Sequence, residues 1–117
     1  MLGIDPKGGQ VKASKELYTA MAEVKPKLSA FKTQVEVDFE DDNREKEILD
    51  SLGFSLWEKV QNDNQQALVE LLAQFAKNMT PALQTEIVNA GTDVSYITTI
   101  TNYAAIIRDK NIAQEGR

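Results

Sequence analysis

The stretch VSYITTITNY, Val94–Tyr103, decides between an all-helical chain and a mixed one. Taken alone, its β-branched and aromatic residues favour a strand. A half-buried strand must alternate apolar and polar residues, but Ile97, Ile100, Ala104 and Ile107 recur at steps of 3, 4 and 3, the period of a helix. The pattern also runs on for longer than an ordinary strand. The segment is therefore predicted to be a helix, capped by Thr92 or Asp93 and reaching about Lys110. With it helical, the chain reads as all-α.

Much of this helix is apolar. Counted at about 100° per residue, Val94, Tyr96, Ile97, Ile100, Tyr103, Ala104, Ala105, Ile106, Ile107 and Ile112 span an arc of roughly 260°. Only the strip holding Ser95, Thr98, Asn102 and Asp109 is consistently polar. A helix apolar nearly all round belongs at the centre of a bundle or at an interface, and a short chain has few helices to surround it. Tyr96, Tyr103 and Ile106 form the candidate interface flank, and a two-fold homodimer pairing those flanks is one expectation. Central burial within a monomer is the other.

Upstream, the chain is punctuated by stop and start signals. Thr80 and Pro81 open a helix that Gly91 closes, with Leu83, Ile87 and Val88 inward. Leu68, Leu71, Leu72, Phe75 and Met79 mark the apolar face of a helix over Gln65–Asn78. In LDSLGFSLWEKVQNDNQQ, from Leu49, Gly53 is placed as the left-handed residue that ends one helix, with Phe54 folding back on its last turn. Ser55 with Glu58, and Asp63 with Gln66, are spaced as capping boxes for the two helices that follow. Trp57, beside Phe54, Leu56 and Val60, is read as sealing the core, with an interface anchor as the sharper alternative.

At the N-terminal side, Leu17, Met21, Val24, Leu28, Phe31 and Val35 step by 4, 3, 4, 3 and 4, a narrow stripe of roughly 80°. Pro26 lies inside it and implies either a kink or a fresh helix start. A loop is expected near Asp38–Asp42, followed by a helix to Leu52 that Asp42 and Glu45 cap. The chain divides into a flexible leader at 1–11, a helical bundle domain at 12–112 and a frayed tail at 113–117. The expected fold is a single-domain bundle of four to six helices, with a long N-terminal helix packed against shorter segments.

Composition removes whole classes of chemistry. Without cysteine or histidine the chain can form no disulfide, thiolate or imidazole metal site, and no His-dependent triad. A net charge of -5 with scattered basic residues opposes nucleic-acid binding. No apolar run is long enough to span a bilayer, and no secretion signal is legible, so a cytoplasmic location is the default. The acidic stretch from Glu36 to Glu47 is the remaining place for divalent-ion chemistry. With Asp38, Glu40 and Asp42 at EF-hand positions 1, 3 and 5, Asn43 stands where glycine is needed and Leu49 where the bidentate glutamate belongs. The stretch is therefore read as a capping and solvating charge run. The DPKGG segment at Asp5–Gly9 lacks phosphate-loop spacing, and Asn78-Met79-Thr80 matches a glycosylation acceptor without a secretory context.

Neither catalytic nor cofactor or metal-binding residues can be assigned. The expected function is that of a non-enzymatic helical module acting through protein contact, with a protein partner or a second copy as its target. The alternative is a bundle that binds a small molecule or divalent ion, or a carboxylate-dependent enzyme, with its site between helices.

Overall fold

A computed structural model describes the backbone of residues 4–115 and the side chains of residues 15–111. It contains α1 (Ile4–Asp38), α2 (Asp42–Ser51), a single 3-10 turn (Phe54–Leu56), α3 (Trp57–Gln61), α4 (Gln65–Asn78), α5 (Pro81–Ala90) and α6 (Val94–Glu115). Side chains of the expected leader at 1–11, which includes DPKGG, and of the expected tail at 113–117 lie outside the described residues.

Every member of the N-terminal stripe is buried: Val24, Leu28, Phe31 and Val35 completely, Leu17 and Met21 nearly so, with Ala20 beside them. This line is the seam along which α6 returns. Glu16 meets Lys110 at 2.7 Å, Glu23 meets Tyr103 at 2.9 Å and Asp38 meets Thr92 at 3.0 Å, so later residues of α1 face earlier residues of α6 and the two run antiparallel. Helix α4 packs against α6 as well, and α2, α3 and the 3-10 turn gather around α4. At the middle of the core, Phe31 stacks on Phe54 with centroids 6.0 Å apart and meets the edge of Phe75 at 5.2 Å. Trp57 is partly buried against this cluster, 5.8 Å from Phe54, in the sealing role.

The long helix does not restart at Pro26. It continues through the proline, which is exposed on the outer side of the helix, as is Ala22, whose carbonyl loses its helical donor. The last helix extends past Lys110 to Glu115. It is not the surrounded centre of the monomer either. Ile97, Ile100, Ala104 and Ile107 are buried, while Val94, Tyr96, Ala105 and Ile106 remain exposed, because α1 and α4 cover only one side.

Three helices stop in one manner. Gly53 has φ 96° and Gly91 φ 138°, as their positions after the last apolar residues require, and Asp63 has φ 65°. The Asp63 amide donates to the Val60 carbonyl and the Asn64 amide to that of Lys59, the paired bonds of a left-handed helix stop. Asp63 thus ends α3 instead of capping α4, because a short acidic side chain tolerates positive φ. Asn64 takes the cap, its side chain accepting from the Ala67 amide at 2.9 Å. Likewise Asp41, not Asp42, caps α2, accepting from the amides of Asn43 and Arg44. Two adjacent aspartates offer the same chemistry, and only the extended backbone of Asp41 makes the choice. Ser55 caps nothing, since it lies within the 3-10 turn and neither that turn nor α3 has a side-chain cap. Thr80 does cap α5 through the Leu83 amide, and Asp93 opens α6 by accepting from Ser95 at 2.8 Å.

Gly53 is required twice over. A Cβ there would sit 2.9 Å from the Leu71 carbonyl oxygen, in the backbone of α4, in addition to the strain of positive φ. Gly53→Ala should therefore lower stability by about 2–4 kcal/mol in urea melts, the sum of a left-handed penalty and an overpacked contact. Asp63→Gly should change stability by less than about 1 kcal/mol in the same melts, because relief of the left-handed strain is offset by loss of the exposed ion pair between Asp63 and Lys25 at 3.0 Å.

Candidate functional site

From Val94 to Ile107, α6 contains no charged residue, although its outward side meets solvent. Val94 is 43% exposed and Ile106 46%. The backbone positions these side chains by simple counting, since the inward stripe is held by α1 and α4 and the rest must face out.

On the α1 side, a groove of about 580 Å³ lies between the helices, walled by Thr19 and Ala20 of α1 and by Tyr103 and Ile106 of α6. Both of its acidic rim groups, Glu16 and Glu23, are engaged by α6. The Tyr103 hydroxyl donates to Glu23 and the Lys110 ammonium donates to Glu16. The Glu23 carboxylate raises the Tyr103 phenol pKa above its usual range, chiefly because the hydrogen bond needs the phenol proton. Tyr96 lies two turns earlier on α6, in a smaller depression of about 170 Å³ with Lys27 and Thr99. The structure thus brings Tyr103 and Ile106 to one groove and leaves Tyr96 further along the same flank.

A second groove, of about 400 Å³, opens on the other side of α6. Ala73 and Ala76 of α4 and Ala104 and Ala105 of α6 form it, with Lys77 and Arg108 at its edges. Reading α6 by itself could not find this groove, because its width depends on small residues of α4 that become neighbours only after folding.

The acidic stretch is tied into the fold. Asp38 accepts from Gln34 at 2.8 Å and from the buried Thr92 hydroxyl, and it lies where a Cβ on Gly91 would stand 2.8 Å from its carboxylate oxygen. Glu36 pairs with Lys32 at 2.6 Å. Arg44 donates from Nε to Glu86 at 2.7 Å and again from Nη2, a forked contact joining α2 to α5, and it also reaches Glu47. These bonds hold the Glu86 carboxyl below its ordinary pKa and the guanidinium above its own. Among the described residues no group of three acidic side chains is arranged to hold a metal ion. Among the same residues no helix is long and apolar enough to cross a membrane.

The Tyr103–Glu23 bond carries a definite pH sign. A phenol whose folded pKa is raised contributes stability that is complete below the unfolded value and is lost as pH rises through the folded one. In a phenolate absorbance titration, Glu23→Ala should bring one of the three tyrosines back toward the ordinary range and remove that alkaline component from the melting profile. Comparison of the chain with protein-family models, with curated proteins and with solved structures found no match to any of them.

Proposed function

We propose that this chain is a non-enzymatic helical module that works through protein–protein contact, using the outward side of α6 and the groove it shares with α1. The uncharged run from Val94 to Ile107 carries this reading, because a solvent-facing helix of a free monomer ordinarily places charge outward. The engagement of Glu23 by Tyr103 and of Lys110 by Glu16 also supports it. The two carboxylates at the groove are thus each held by an α6 side chain and do not converge on an empty point, as groups that bind or transform a small substrate would. Scattered lysines and a net charge of -5 place nucleic acid outside the expected partners.

Substitution at the flank provides the test. Ile106 is 46% exposed, so Ile106→Asp should change folding stability by less than about 0.5 kcal/mol. Affinity capture from native extract should nevertheless lose its specific protein when this variant replaces the parent. The small-molecule or ion-binding alternative is tested by melting temperature, since a ligand that binds only the folded state raises it. Millimolar calcium or magnesium is expected to leave the melting temperature unchanged at matched ionic strength. A rise of several degrees, with capture indifferent to Ile106→Asp, would replace the contact reading with a binding site.

A further inference from the structure

Helix α5 is set off from its neighbours by a one-residue turn at each end. Before it, Met79 has φ -79° and ψ 76°, and the Thr80 amide donates to the Asn78 carbonyl at 2.9 Å, an inverse γ-turn. After it, Gly91 breaks the helix at φ 138°. The flanking helices are also fastened without it. The Asn78 side-chain amide ties the end of α4 to the Ser51 carbonyl at 2.6 Å, and Asp38 and Asp93 hold the start of α6 through the Thr92 hydroxyl and the Ser95 amide.

Little else holds α5 down. Only Ile87 of its ten residues is fully buried, whereas α4 buries five of fourteen, and α5 packs on α6 with sparse contact to other helices. Among the described residues, the forked Arg44–Glu86 pair is its one ionic tie to another helix. The two side chains are 41% and 36% exposed, so dissolved salt reaches the pair.

We propose that α5 is a strap, opening as a unit over residues 80–91 while α1, α4 and α6 stay folded, and that the Arg44–Glu86 pair is the clasp that holds it closed. A ten-residue helix is marginal in water without tertiary packing, so a released α5 unwinds. Opening then brings Ile87 into solvent together with the half-buried Leu83 and Val88, an apolar surface that the closed molecule hides. Since the clasp is open to solvent ions, ionic strength sets how often this happens. The device involves none of the residues of the α1/α6 groove and holds whether or not that groove meets a partner.

Hydrogen exchange on the full chain, read amide by amide, tests this. Amides of residues 84–90 should exchange through an opening that is nearly independent of dilute urea, while amides of the buried seam of α1 follow global unfolding and its steep urea dependence. Glu86→Gln weakens a contact present only in the closed state. It should speed residues 84–90 about two- to fivefold, the effect of losing one exposed forked pair. Raising salt from about 0.02 to about 0.5 M should do likewise in the parent and add nothing in the variant. Val24→Ala, in a seam that closed and open forms both retain, should speed the α1 amides about tenfold or more and leave residues 84–90 unchanged. Circular dichroism checks that each variant is folded, and exchanging the two charges, Arg44→Glu with Glu86→Arg, should slow residues 84–90 again. If residues 84–90 share the urea dependence of α1, or respond to Val24→Ala, α5 opens only with the whole molecule and the strap is overturned. Local opening indifferent to Glu86→Gln and to salt would overturn the clasp.

Discussion

The fold depends on covering one narrow line. Leu17, Met21, Val24, Leu28, Phe31 and Val35 lie at almost no exposure along α1, and each such side chain contributes roughly 1.5–3 kcal/mol when removed from water. Because the line is long and straight, a single compact partner cannot cover it. An antiparallel helix of comparable reach is needed, and α6 supplies it. The remaining helices then occupy the space beside the C-terminal half of α1, where Phe31 meets Phe54 and Phe75. The long axis of 59 Å against widths of 25 and 20 Å follows from this, because a 35-residue helix is itself about 52 Å long.

Most of the architecture was legible because periodicity and punctuation are local. The steps of 3 and 4 in α1, α4 and α6 named the buried residues, and Gly53 and Gly91 marked the stops of α2 and α5 without ambiguity. Caps were less legible wherever two neighbours carry the same chemistry. Asp41 and Asp42 can each cap a helix, as can Asp63 and Asn64, and the choice is made by which residue the backbone leaves extended. The 3-10 turn at Phe54–Leu56 has a different cause: the sequence spells a capping box there, but tertiary packing of Phe54 under Phe31 fixes the backbone first.

Of the candidate flank, sequence counting reached Tyr96, Tyr103 and Ile106 because they share a side of one helix. It did not reach Glu23 or Lys27, which become their neighbours only through the α1/α6 pairing. Val37, 71% exposed, was hidden within an acidic stretch that invites an electrostatic reading. Asp38 was likewise counted with the solvating acids, although its contact with the buried Thr92 hydroxyl joins the end of α1 to the start of α6. Arg44 is the charged counterpart, fastening α2 to α5 through Glu86, two helices with little else between them.

The pairing of the first helix with the last also has a consequence in time. About 55 residues separate Asp38 from Val94, and at synthesis rates of about 5–20 residues per second they take roughly 3–11 s to make. During that interval α1 is already on the growing chain without the helix that covers most of it. Its apolar line is open to any folding factor that binds such surfaces, and also to the same line on another nascent chain. The pace of translation, more than the stability of the finished bundle, sets how long that opportunity lasts.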